Sequence, residues 1–121
     1  MTPQEKRRPR AGIPAAAQVL VQMHQLLWKA STEAAGRASA TRDLDSVALA
    51  SNLTYACDQV LHLVPATYRD ALLERPGIAG SDPVELARRA EELSRTMPIQ
   101  QSLPGIDSVV TLLRDTVRDF S

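Results

Sequence analysis

The fold is decided by residues 14–40, which read PAAAQVLVQMHQLLWKASTEAAGRASA. Proline is favourable in the first turn of a helix, so this stretch predicts one long helix that begins at Pro14, with a glycine near its end as a weak point. At about 100° per residue, the apolar side chains form a main stripe and a second stripe beside it that includes Val21, His24 and Trp28. The apolar arc covers well over half of the helix. We therefore expect this helix to be central in the fold or to lie at an interface.

Prolines and capping residues divide the rest of the chain into four further helices. Asp43 is a good N-cap, Pro65 restricts the residue before it away from helical angles, and Asp82 followed by proline is typical of a helix start. The predicted ranges are 44–64, 66–75, 83–97 and 106–120. Short connections make neighbouring helices antiparallel. The sequence therefore predicts an all-α fold, a small bundle of about five helices, three long, one medium and one short, without a β-sheet.

Length and composition fit one small globular domain. The chain has 121 residues, with 14 Lys and Arg residues against 14 Asp and Glu residues and a single cysteine. We expect one helical-bundle domain over residues 13–121. Because neither a run of about 18 apolar residues nor a hydrophobic N-terminal segment occurs, we expect no membrane span and a cytoplasmic location.

The N-terminus carries a cluster of cationic side chains, which are Lys6, Arg7, Arg8 and Arg10. Prolines and a glycine surround this cluster, so we predict a disordered basic arm over residues 1–12. A basic arm attracts phosphate groups through charge. A small nucleic-acid-associated accessory or regulatory protein is therefore one alternative function, and a solvated tail without a partner is the other interpretation of the arm. The rest of the chain is net negative and offers no basic face.

The sequence lacks the local patterns that catalysis and metal binding usually require. It has no glycine-rich phosphate loop and no Gly-x-Ser-x-Gly motif, and its two histidines are far apart. Cys57 and His62 point about 140° apart on a helix, so their side chains cannot form a hydrogen bond. Glu91 and Arg95 lie four residues apart on what the pattern predicts to be an outer, solvated face. We therefore expect no catalytic residue, no metal site and no cofactor.

An interaction role fits the remaining features, and the second stripe of the first helix is one candidate site. Tryptophan is a frequent interface anchor, so Val21, His24 and Trp28 are predicted to contact a protein partner, with a homodimer as the expected form. The alternative is that other helices surround this one and that His24 packs against Trp28 inside the domain. The leading hypothesis is a noncatalytic helical interaction or regulatory module that self-associates or docks a partner through an apolar helix face.

A second candidate site lies on the second helix. Ser51, Tyr55, Asp58 and His62 follow one another at spacings of four, three and four, which places them on one narrow stripe. The last three are predicted to form a docking patch, and the alternative is an exposed pair that adds little stability. A third hypothesis remains, because alanine-rich stripes beside leucines can leave a pocket between helices. The chain would then be a small-molecule-binding bundle or an enzyme.

Overall fold

The computed structural model describes residues 14–74, 77–97 and 105–121. Its helices are α1 (Ala15–Thr41), α2 (Leu44–Leu63), a short 3₁₀ helix (Ala66–Leu73), α3 (Pro83–Ser94) and α4 (Ile106–Phe120). No strand occurs in these described ranges. The predicted all-α bundle is therefore confirmed. The clearest difference in bounds is at the end of α3, where the helix stops at Ser94 and a turn occupies the last three residues of the predicted range.

A two-residue turn joins α1 to α2 and reverses the chain. Arg42 takes a left-handed conformation (φ 57°), and its backbone N–H closes α1 by donating to the carbonyl oxygen of Ala38 at 2.8 Å. Asp43 caps α2, because its Oδ1 accepts from the backbone N–H of Ser46 at 2.7 Å. This bond, with those from the hydroxyls of Thr41 and Ser46, holds the pKa of the Asp43 carboxyl below its usual value. The turn places α2 antiparallel beside α1.

The other boundaries also follow from proline and capping chemistry. Val64 has an extended backbone (ψ 122°) because it precedes Pro65, and this ends α2. The 3₁₀ helix begins directly after that proline. At the start of α3, the Asp82 side chain accepts from the backbone N–H of Val84 at 3.1 Å, and Pro83 occupies the first turn, where its missing N–H costs nothing.

α1 lies at the centre of the bundle, where it packs against α2, α3 and the 3₁₀ helix, while α4 packs against α2 and α3. Ten residues of α1 are buried, and Leu20, Met23 and Leu27 among them are fully enclosed. The other helices complete the core with leucine and valine side chains, including Leu53, Val60, Leu86, Val109 and Leu113. The central position of α1 explains why its apolar arc is so wide, since helices approach it from several directions.

Candidate interaction face

The second stripe of α1 is divided between the core and the surface. Val21 and His24 are each 8% exposed, whereas Trp28 is 40% exposed. The bundle therefore buries Val21 and His24, and the interface predicted for the three residues stays a prediction. Trp28 is the member of the stripe that remains accessible.

Distant parts of the chain contact the middle of α1. The Gln25 side chain donates from Nε2 to the carbonyl oxygen of Ala71 in the 3₁₀ helix at 3.4 Å. Lys29 donates from Nζ to the carbonyl oxygen of Ile78. On the side facing α2, the Cys57 thiol lies 4.0 Å from the carbonyl oxygen of His24. These contacts hold neighbouring segments against α1.

The three predicted residues of α2 lie on the outside of the bundle. Tyr55 is 58% exposed, and the side chains of Asp58 and His62 are 55% and 67% exposed. His62 Nδ1 lies 2.7 Å from the carbonyl oxygen of Asp58, close enough that Nδ1 must carry the hydrogen and donate. The Asp58 carboxylate oxygen is 3.6 Å away, so the side-chain pair is looser than a direct hydrogen bond. The structure thus places these residues together on a solvent-facing stripe.

A groove runs along the outside of the bundle between α1 and α2. Its volume is about 740 Å³. Small side chains form most of its walls, and its lining residues are Ala35, Ala38, Ser39, Val47, Ala50, Ser51, Thr54, Tyr55 and Asp58. Trp28 lies on the same side of α1 as the groove, because Ala35 follows it at a spacing of seven residues, which is close to two helical turns.

Two large exposed apolar side chains, Val47 and Tyr55, line this groove. In the part of the chain that the structure describes, five large hydrophobic residues are exposed, and four of them lie on α1 or α2, namely Trp28, Leu44, Val47 and Tyr55. The fifth, Leu73, lies in the 3₁₀ helix. We refer to Trp28, Leu44, Val47 and Tyr55, together with the groove, as the α1–α2 face. It contains four of these five exposed residues.

The sequence patterns did not single out Leu44 and Val47, although a signal for Leu44 was present. Leu44 and Ala48 extend the stripe of Ser51 and Tyr55 toward the N-terminus of α2 at the same alternating spacings of four and three. Leu44 is 85% exposed and Val47 is 47% exposed. An apolar residue on the outer stripe of an otherwise amphipathic helix is the feature that could have identified this surface.

A buried carboxylate joins α3 to α4. The Glu91 side chain is 5% exposed, and Arg95 donates to both of its oxygens, from Nε to Oε1 at 3.1 Å and from Nη2 to Oε2 at 2.9 Å. Arg114 of α4 donates from Nε to Oε1 at 3.2 Å. The expectation of a solvated pair on an outer face is wrong for Glu91, because α4 packs over this side of α3. Two guanidinium groups neutralise the carboxylate, which makes this contact structural.

A further cavity, of about 610 Å³, opens between α1 and α3. Its lining mixes amides, charged groups and apolar side chains, with Gln22, Gln25 and Leu26 on the α1 side. Arg89 on the α3 side donates from Nη1 to the carbonyl oxygen of Ala79 at 2.8 Å, so this guanidinium fastens the segment before α3. The hypothesis of a small-molecule site between helices stays a prediction.

The basic cluster at Lys6, Arg7, Arg8 and Arg10 lies outside the described residues. In the described ranges, nine Lys and Arg residues stand against 13 Asp and Glu residues, a net charge of −4. Attraction of phosphate groups by this part of the chain is therefore weak. The alternative function as a nucleic-acid-associated protein therefore depends on the predicted basic arm.

Among the described residues, no cluster of three or more His, Cys, Asp and Glu side chains is arranged to hold a metal ion. No helix within those ranges combines the length and the apolar character that crossing a membrane requires. Comparison with protein-family models, with curated proteins and with solved structures gives no match to this chain.

Proposed function

We propose that this protein is a noncatalytic helical module that self-associates through the α1–α2 face. The observation that carries the proposal is that four of the five large exposed apolar residues in the described ranges lie on α1 or α2, namely Trp28, Leu44, Val47 and Tyr55. Two of them, Val47 and Tyr55, line one groove. Isolated apolar side chains on a surface need no explanation, whereas a contiguous group of them is typical of an interaction site.

The chemistry of the face suits a protein partner. Tryptophan and tyrosine are the residues most often found as interface anchors, and each presents a large area for little loss of side-chain entropy. Burying a leucine, valine or aromatic side chain fully contributes roughly 1.5–3 kcal/mol. The small side chains of the groove allow another helix to approach closely. These features support docking of a helical surface against α1 and α2.

A second copy of this chain is the occupant that the charges favour. Arg42 lies in the turn just before α2, Asp58 lies near the C-terminal end of α2, and both are exposed. An antiparallel second copy would bring each Arg42 toward the Asp58 of the other molecule. Complementary charges of this kind select the partner and its orientation more than they add affinity. We propose the cytoplasm as the location of this module.

Sedimentation velocity over a dilution series tests the proposal. We expect the wild-type protein to be a dimer at roughly tens of micromolar, and we expect Trp28→Ala and Tyr55→Ala to shift it toward the monomer. Leu73→Ala is the matched control, because it also removes a large exposed apolar side chain but lies in the 3₁₀ helix. Circular dichroism confirms that each variant folds.

A wild-type protein that stays monomeric to about millimolar concentration would overturn the proposal. So would an equal loss of dimer in Leu73→Ala and Tyr55→Ala, because the apolar side chains of the α1–α2 face would then have no special role.

A further inference from the structure

We infer that α2 of one copy packs antiparallel against α2 of a second copy, in the register that sets Leu44 against Tyr55. This inference rests on the proposed self-association and names the element that occupies the outer stripe of α2. The stripe consists of residues that are all exposed, namely Leu44, Ala48, Ser51, Tyr55, Asp58 and His62. Their spacings alternate between four and three residues, which is the repeat by which two helices pack side by side over several turns.

In an antiparallel pair of helices, the numbers of the two residues that face each other have a constant sum. Because the stripe residues follow a 3–4 repeat, only a few values of this sum set stripe residues against each other. In the register that sets Leu44 against Tyr55 of the second copy, Ala48 faces Ser51, and symmetry repeats both pairs. Small side chains then lie at the centre, where they let the helix axes approach. The large apolar side chains lie at both ends of the contact. This order buries most of the apolar area of the stripe with no charged side chain inside it.

The neighbouring registers fit less well. A shift by one repeat in one direction sets Leu44 against His62 and Ala48 against Asp58, which places a carboxylate within the contact and costs desolvation. A shift in the other direction sets Leu44 against Ala48, so that little more than one turn of each helix overlaps. A parallel arrangement sets Asp58 against its own copy, and two like charges at short distance repel.

The inferred register also places opposite charges together at the rim. Asp58 of one copy falls level with Thr41 of the other, next to Arg42 in the α1–α2 turn. Two-fold symmetry makes this contact occur twice. Rim contacts between exposed charges contribute modestly to affinity but disfavour other registers.

The size of the contact predicts a weak dimer. From Leu44 to Tyr55, α2 advances about 17 Å at 1.5 Å per residue, so α2 alone buries less than the roughly 800 Å² per partner of a typical stable interface. Trp28 and Val47 lie on the same side as the groove and extend the apolar area next to the paired helices. The dimer therefore needs the apolar area beside the groove as well as the paired α2 helices.

A charge-reversal cycle measured by sedimentation equilibrium tests the register on the full chain. Arg42→Glu brings two carboxylates together at each rim contact, and Asp58→Arg brings two cations together. We expect each variant to raise the dimer Kd about tenfold at low salt. The double variant restores opposite charges and should return the Kd to within about twofold of wild type. Asp70→Arg, an exposed charge reversal in the 3₁₀ helix, is the control and should leave the Kd unchanged.

The outcomes separate the two proposals. If the protein self-associates and Tyr55→Ala weakens it, but the double reversal is no tighter than the single ones, the register is wrong and self-association through the α1–α2 face stands. If the wild-type protein does not self-associate, the proposed function fails and the register fails with it. Restoration by the double variant supports both, because only a close approach of Arg42 to Asp58 produces it.

Discussion

Replacing Glu91 by glutamine should loosen the attachment of α4 to α3. Three hydrogen bonds reach the carboxylate, two from Arg95 and one from Arg114, at 2.9 to 3.2 Å. A hydrogen bond to a charged group contributes about 1.5–3 kcal/mol, but these guanidinium groups are 63% and 61% exposed and regain water when the contact is lost. We therefore count each bond at about 0.5–1 kcal/mol. Glutamine keeps the shape of the side chain and one of its two acceptor oxygens. We therefore expect Glu91→Gln to lower the free energy of unfolding by about 1–2 kcal/mol.

Urea denaturation followed by circular dichroism measures this change, with Glu92→Gln as the matched control on the next, exposed position. A loss of about 1–2 kcal/mol lowers the melting temperature by roughly 4–10 °C in a domain of this size. The control should change stability by less than about 0.5 kcal/mol. Equal effects of the two variants, or no loss for Glu91→Gln, would refute the claim that the buried carboxylate joins α3 to α4.

Three further predictions follow from the core and the helix ends. Leu27→Ala should lower the free energy of unfolding by about 3–5 kcal/mol in urea denaturation, because Leu27 is fully buried; a loss below about 1 kcal/mol would contradict the central position of α1. Gly36→Ala should raise the melting temperature, because Gly36 lies inside α1 and an added Cβ meets nothing within 4 Å; a lower melting temperature would argue against a continuous helix there. The pKa of Asp43 is lower in the folded than in the unfolded protein, so its ionised carboxylate stabilises the fold above the unfolded pKa. This stabilisation is lost as the pH falls through the folded pKa. Asp43→Asn should therefore flatten the dependence of the free energy of unfolding on pH in the acid range, and an unchanged dependence would count against the cap.

Much of the fold could be predicted because its boundaries depend on neighbouring residues. Pro65 and the capping side chains of Asp43 and Asp82 act within a few positions of themselves, so their effect is visible in the sequence. The end of α3 was predicted too late. The backbone N–H of Met97 donates to the carbonyl oxygen of Ser94 at 3.3 Å in a tightened turn, and the proline that follows Met97 disfavours helical angles there.

The candidate site was harder to predict because burial depends on segments far away in the sequence. A helical wheel shows on which side of α1 Val21 and His24 lie. It does not show that the 3₁₀ helix and the loop pack around α1. The same limit applies to Glu91, whose spacing to Arg95 is typical of a surface pair until Arg114 of α4 reaches it. The outer stripe of α2 could be predicted, because nothing in the described chain packs over it.

Concentration-dependent NMR of the wild-type protein tests most directly whether the α1–α2 face is the self-association surface. We predict that, as the protein is concentrated from roughly micromolar to roughly millimolar, the Trp28 indole signal and the backbone amide signals of Val47 and Tyr55 shift along one binding curve. The amide signals of Arg88 and Arg114, on the α3–α4 side, should stay in place. Spectra that do not change with concentration, or shifts confined to the α3–α4 side, would contradict self-association through the α1–α2 face.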